Sequence, residues 1–218
     1  MITEILPPAV VAEEAFADPP GATLFPEEEA LLTRAVAKRR QEFTTVRHCA
    51  RAALRRLGVP PGPILPGERG APRWPAGVVG SMTHCAGYRA AALARHTDVA
   101  SVGIDAEPHE PLPDGVLGAV TSDGERAMLG RLAAAAPGVC WDRLVFCAKE
   151  AVYKTWYPLT GRWLDFAEAE VDIDPVTATF AARLLVPGPV VAGREWREFP
   201  GRYLVRDGLM LATITLPA

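Results

Sequence analysis

The chain has 218 residues, 49% hydrophobic and 22% charged, with a formal net charge of -3 and a pI near 5.9. This suffices for one large globular domain or two small ones, and the lack of a basic surplus argues against a general nucleic-acid binder. No apolar run reaches the roughly 18 residues of a membrane span, and the opening MITEILPPAVVAEEAFADPP lacks the basic start and long apolar stretch of a secretion signal. A cytoplasmic protein is therefore expected, without membrane partners. Cys49, Cys85, Cys140 and Cys147 form no C-x-x-C pair, so they read as reduced thiols rather than zinc ligands.

In chain order, the Pro-rich, acidic stretch up to Phe25 predicts an extended lead-in. From Glu27, EEEALLTRAVAKRRQ starts acidic and ends basic, as a helix dipole favours. EFTTVRHCARAALRRLG predicts a second helix, with Phe43, Val46, Ala50, Ala53, Leu54 and Leu57 at helical spacing and Gly58 and Pro60 ending it. Arg47, Arg51 and Arg55 share one face of that helix, which by itself reads as a solvated basic face; Arg39 and Arg40 lie just upstream. The Pro/Gly-rich loop PPGPILPGERGAPRWP carries Arg69 and Arg73, and three strands follow, GVVGSMTH, YRAAALA and VASVGID.

The second half repeats this order. A linker, PHEPLPDGVLGAVTSDG, leads to a helical ERAMLGRLAAAA and a stronger helix, WDRLVFCAKEAVYKTWY. Strands AEVDI, TATFAARLLV, RYLVRD and LMLATITL end the chain, with Asp207 and Gly208 turning the last hairpin. Helices then strands, twice, predict the α+β class with two similar halves, residues 1–110 and 111–218.

The chemistry concentrates at three places. In SVGIDAEPHEP, Asp105 and Glu107 close a strand two residues apart, so they point to one side. Their repulsion calls for a cation, a basic side chain or bulk water. In FCAKEAVYK, Glu150 and Lys154 share a helix face; alone they read as a surface ion pair of little worth. Taken together, three carboxylates suit a hard divalent cation such as Mg²⁺, and a lysine and arginines nearby suit a polyphosphate ligand. In GSMTHCAG, His84 ends a strand; a lone His is more often structural, yet Ser81, Thr83, Gly80 and Gly87 make a polar loop able to meet a phosphate.

GSMTHCAG, VGIDAE and FCAKEAVYK, in that order, resemble the three signature blocks of the 4′-phosphopantetheinyl transferases, at the spacing of the larger, single-chain Sfp type. KRRQEFTTVRHCARAAL, GAPRWP and KTWYPLTGRWL resemble the actinobacterial branch that primes fatty-acid, polyketide and siderophore carrier proteins, so the resemblance runs over residues 30–170. It implies a pseudo-dimer of two α+β halves with coenzyme A and Mg²⁺ (or Mn²⁺) in the cleft between them. The reaction implied is attack by a serine hydroxyl of an acyl or peptidyl carrier protein on the β-phosphate of coenzyme A. Phosphopantetheine is transferred and adenosine 3′,5′-bisphosphate leaves.

The resemblance also implies residue roles. Asp105, Glu107 and Glu150 are the metal carboxylates, with the Ala106 carbonyl beside them. Glu150 is the general base, directly or through a metal-bound water. His84 and Lys154 stabilise the phosphates, and Thr83 contacts them. Arg47 and Arg39 belong to the nucleotide, Arg69 to the 3′-phosphate, and Trp163 to the pantetheine side. Pro66 stands where some relatives carry a basic residue. An internal pseudo-dimer has no need to pair, so a monomer is expected. Two other readings use the same groups: a Mg²⁺-dependent hydrolase of coenzyme A pyrophosphate, against which the absence of a Nudix-type glutamate helix counts, and a non-catalytic coenzyme A-binding regulator.

Overall fold

In the computed structural model, which describes residues 1–218, the lead-in is more than an extended tail. Ile2–Ile5 forms a 3-10 turn, and Val11–Ala15 (β1) pairs antiparallel with Tyr88–Arg95 (β3), Val11 opposite Leu93. Ile2, Ile5, Val10 and Ala12 are buried there. The prolines bracket this short strand instead of preventing it.

Pro26–Glu29 (α1) opens with Pro at its first turn, where the missing N–H costs nothing, and Phe25 N–H donates to Glu28 at 2.9 Å. A 3-10 turn at Ala30–Leu32 follows, and the long helix α2 runs over Ala37–Arg56. The two helices expected from Glu27 therefore break at Thr33–Val36, earlier than predicted. Arg40 reaches back across this corner to the Leu32 carbonyl (3.1 Å) and the Glu29 carboxylate.

The periodic apolar face of α2 packs as predicted: Cys49, Ala50, Ala53 and Leu54 meet Ile64, Val78, Ala91 and Leu93. The arginine row is a correction. Arg55 is exposed, but Arg47 and Arg51 are buried. Glu28, fully buried, supplies the missing charge: Arg51 Nη1 donates to both its oxygens (3.0 and 3.1 Å), and Arg47 Nε lies 3.6 Å away. A buried guanidinium is tolerated only when so paired.

Val78–Cys85 (β2) completes a three-stranded antiparallel sheet in the order β1-β3-β2. Val99–Pro108 (β4) leaves it for a five-stranded antiparallel sheet, β4-β10-β9-β6-β5. The other strands of that sheet are Ala169–Asp174 (β5), Thr179–Leu184 (β6), Glu198–Arg206 (β9) and Leu209–Pro217 (β10), and β4 pairs with β10 at its edge. A small hairpin of Val190–Val191 (β7) and Arg194–Glu195 (β8) lies outside this sheet. Asp207 and Gly208, both at positive φ (52° and 75°), form the expected tight turn between β9 and β10.

Three helices precede β5: Val116–Val120 (α3), Asp123–Ala135 (α4) and Trp141–Thr160 (α5). Leu144, Cys147, Ala148, Ala151 and Val152 of α5 are buried in one core with Met210, Ala212 and Ile214 of β10. The helix lies directly on the β4 backbone: a Cβ at Gly103 would be 2.2 Å from the Ala151 carbonyl and 2.3 Å from Thr155 Oγ1.

Each half is thus a long helix on an antiparallel sheet, the expected α+β plan, and β4 ties the halves together. Its backbone belongs to the second sheet, while its free edge meets β2 through side chains. Ser81 Oγ accepts from Ile104 N–H (3.1 Å) and Thr83 Oγ1 from Ala106 N–H (3.0 Å). Hydroxyls two residues apart match edge amides two residues apart. No helix is long and apolar enough to cross a membrane, and the four cysteines are free.

Candidate active site

The carboxylate pair at the end of β4 is answered by basic side chains. Lys154 Nζ, from α5, lies 2.7 Å from Asp105 Oδ1 and 3.2 Å from the Ile104 carbonyl. Thr83 Oγ1 donates to the same Oδ1 at 3.1 Å, and Asp105 Oδ2 is buried with no partner. Glu107 Oε2 accepts from Arg143 Nη1 at 3.0 Å. Lys154 thus pairs with Asp105, not with Glu150 one turn away on its own helix. Sequence reasoning missed Arg143; its signal is placement two turns before Glu150 on α5.

These charges do not balance. Burial, then the Asp105 charge, push the Glu150 carboxyl above its ordinary value. Burial and Asp105 also push Glu107 up, while Arg143 pulls it back. Burial opposes the charge on Lys154, but Asp105 and Glu150 together hold its value raised. Three carboxylates share two cations, and added positive charge would be welcome.

Beside this group a cavity of about 1140 Å³ opens between the halves. Six of the expected residues line it: Arg39, Arg47, Arg69, His84, Glu150 and Lys154. Arg47 lies 3.2 Å over the Phe43 ring and donates from Nε to the Ile64 carbonyl at 3.0 Å. Burial pulls Arg47 down to about 10, so it is still charged at neutral pH. Arg39 Nη1 lies 2.9 Å from His84 Nε2. An arginine can only donate, so this nitrogen accepts and the ring proton belongs on Nδ1. Burial first, then Arg39 and Lys154, lower the His84 value against the opposing charge of Glu42 at 3.6 Å.

Arg69, in left-handed backbone (φ 53°), extends from the first-half loop to within 5.5 Å of the Trp163 ring of the second half. Trp163 in turn packs on Tyr153, with ring centroids 5.0 Å apart. Pro66 also lines the cavity, in a β-bridge with Pro72. Thr83 is placed differently from its neighbour: it is buried, its hydroxyl committed to Asp105 and the Ala106 N–H. Ala106 is buried as well.

No group of three His, Cys, Asp or Glu side chains converges closely enough to hold a metal as it stands. The donor chemistry nevertheless fits Mg²⁺. Asp105 Oδ2 is an orphaned buried oxygen, burial and then the Asp105 charge raise the Glu107 and Glu150 carboxyls, and carboxylates are the hard oxygen donors that Mg²⁺ takes.

A family model of the 4′-phosphopantetheinyl transferase N-terminal domain matches residues 27–94, and one of the 4′-phosphopantetheinyl transferase superfamily matches residues 101–196. The chain is 60% identical over 221 residues to 4′-phosphopantetheinyl transferase Svp of Streptomyces mobaraensis, covering 100% of this chain and 90% of that protein. It is 51% identical over 224 residues to 4′-phosphopantetheinyl transferase PptT of Mycobacterium tuberculosis, covering 99% and 98%. Over 222 residues it is 49% identical to 4′-phosphopantetheinyl transferase Npt of Nocardia iowensis, covering 98% and 99%. All three are actinobacterial. That family uses coenzyme A as substrate and acts on carrier proteins. With three motif blocks meeting at Asp105 beside one cationic cleft and similarity along the whole chain, this protein belongs to the 4′-phosphopantetheinyl transferases, as an enzyme of the holo-[acyl-carrier-protein] synthase type.

Proposed function

We propose that this enzyme moves the 4′-phosphopantetheine arm of coenzyme A onto a serine of acyl and peptidyl carrier proteins, in a Mg²⁺-dependent reaction in the cytoplasm. The observation that carries this reading is the Asp105–Lys154 pair, with one buried Asp105 oxygen unpartnered, whose Lys154 lines an arginine-rich cleft together with Glu150. Both halves of one chain line that cleft, which supports a monomer. The free cysteines agree with a reducing compartment.

Arg47 and Arg39 hold the nucleotide, and Arg69 the 3′-phosphate, opposite Trp163 on the pantetheine side. Lys154 and His84 face the pyrophosphate; Lys154 stabilises charge that builds on the transferring phosphoryl group. Thr83 serves the phosphates through Asp105, whose carboxylate it orients. Asp105, Glu107 and Glu150, with the Ala106 carbonyl, would hold Mg²⁺ or Mn²⁺, whose chemistry is to withdraw charge from the pyrophosphate oxygens. Glu150 takes the proton from the attacking serine. Burial and Asp105 raise its value in the metal-free protein; a cation held beside it would lower that value, so the proton passes to Glu150 directly or through a metal-bound water.

The test is intact-mass measurement of a panel of apo carrier proteins incubated with enzyme, coenzyme A and Mg²⁺. Transfer adds a phosphopantetheine arm to the carrier. Coenzyme A cleaved while every carrier stays bare would indicate a hydrolase, and coenzyme A left intact would indicate a regulator.

A further inference from the structure

Arg143 spends all three guanidinium nitrogens on one short segment. Nη1 donates to Glu107 Oε2 (3.0 Å), Nε to the Glu110 carbonyl (3.0 Å) and Nη2 to the Pro111 carbonyl (2.7 Å). Two further bonds clip the same region to the start of α5: Cys140 N–H donates to His109 Nε2 (3.1 Å), and Leu112 N–H to Asp142 Oδ2 (2.8 Å). The β4–β10 ladder ends at Pro108 opposite Leu209. Beyond that point the chain leaves the sheet, and Glu107 is one residue from the end of the ladder.

Glu107 needs such a hold. It is largely buried, with a side chain 20% exposed, and it faces the repulsion of Asp105. Arg143 is itself only 15% exposed. It engages one carboxylate oxygen and leaves Oε1 without a hydrogen bond, as Lys154 and Thr83 engage Oδ1 of Asp105 and leave Oδ2. Each carboxylate is thus anchored through one oxygen and keeps the other. Partners that orient a ligating carboxylate typically contribute about 10- to 100-fold in metal affinity.

We infer that Arg143 is a positioning residue for this reaction: it aims the Glu107 carboxylate by binding it together with the carbonyls of the Glu110–Pro111 turn. Its action runs through Glu107, with no contact to coenzyme A. The inference rests on the reading of Glu107 as a metal carboxylate. A lysine at position 143 keeps the charge but lacks the planar fork that reaches a carboxylate and two carbonyls together.

The experiment titrates Mn²⁺ into protein carrying coenzyme A, with no carrier protein present, and reads free Mn²⁺ by electron paramagnetic resonance against a coenzyme A blank. Arg143→Ala should weaken Mn²⁺ binding about 10- to 100-fold, and Arg143→Lys should recover only part of the loss. In a Glu107→Gln background, Arg143→Ala should cost nothing further, because the carboxylate it aims is gone. Coenzyme A affinity without metal should be unchanged in all variants. Thermal melting runs alongside, and Arg143→Lys serves if the alanine variant does not fold. Lower melting temperatures with native Mn²⁺ affinity would overturn the inference and leave Arg143 a structural clip. An equal Arg143→Ala loss in both backgrounds would also overturn it. A native protein that binds no Mn²⁺ would sink the metal reading of Glu107 and this inference with it, a result distinct from failure in the variants alone.

Discussion

Lys154 Nζ lies 2.7 Å from Asp105 Oδ1, while Asp105 Oδ2 is buried beside it with no partner. One residue comes from the end of an edge strand and the other from a helix lying on that strand, so this ion pair registers β4 against α5. It also leaves a buried carboxylate oxygen uncommitted next to Lys154, which itself lines the cleft.

Removing Lys154 alone should be costly. Breaking a buried pair leaves an unpaired charge, and Lys154→Ala should lose about 3 kcal/mol, the low end of the range because this lysine is 27% exposed to the cleft. Asp105→Asn combined with Lys154→Met should recover most of that stability, since neither charge remains, yet have no transferase activity. Urea unfolding and a transfer assay on the same samples check both halves. Equal instability in the single and double variants would refute the pairing argument.

Gly103→Ala should separate strand from helix. Its Cβ would sit 2.2 Å from the Ala151 carbonyl and 2.8 Å from the Thr155 N, both backbone atoms of α5 that cannot swing aside. Overpacking of this kind costs about 1–3 kcal/mol. Because α5 carries Glu150 and Lys154 while β4 carries Asp105, kcat should fall more than coenzyme A affinity. A crystal structure of the variant with α5 undisplaced would contradict this.

Arg47→Ala should act at the nucleotide end, raising KM for coenzyme A with a smaller effect on kcat. A charge-assisted hydrogen bond is worth about 1.5–3 kcal/mol, roughly ten- to a hundredfold in affinity. Because Arg47 also ties α2 to the Ile64 carbonyl, some stability is lost with it. Dephospho-coenzyme A should be a poor substrate for the native enzyme and lose little further with Arg69→Ala. Calorimetric titration with both ligands distinguishes the two arginines.

Glu150→Gln has opposite effects on stability and on turnover. Burial and Asp105 raise the folded value of Glu150 above its ordinary 4.5. Protonation therefore favours the fold: that stability is fully present below the unfolded value and is lost as pH rises through the folded one. With EDTA present, Glu150→Gln should melt higher than native protein at neutral pH, and the gap should close in acid, where both side chains are neutral. Its turnover at saturating Mg²⁺ should be low and should rise with pH as hydroxide replaces the missing base. Full rescue by Mg²⁺ alone would leave Glu150 a metal carboxylate only.

Local features of this chain were legible because their information is local. The Asp207-Gly208 hairpin, the apolar period of α2 and α5, and the two-residue spacing of Asp105 and Glu107 are each set by backbone geometry within a few residues. The motif blocks likewise named His84, Glu150 and Lys154, and the resemblance beyond them named Arg39, Arg47 and Arg69; all six meet in one cleft. Other features required the fold. Arg47 and Arg51 looked solvated until Glu28, from a separate helix, entered beneath them. β1 was hidden among prolines until β3 provided its partner. The hydroxyls of Ser81 and Thr83 suggested a phosphate loop, but the edge amides of β4 claim both. Glu107 finds its counter-charge in Arg143, thirty-six positions along the chain. In each case a charge or hydrogen-bonding group is committed by whichever segment the tertiary structure buries against it, and the cost of leaving such groups unpaired makes that choice binding.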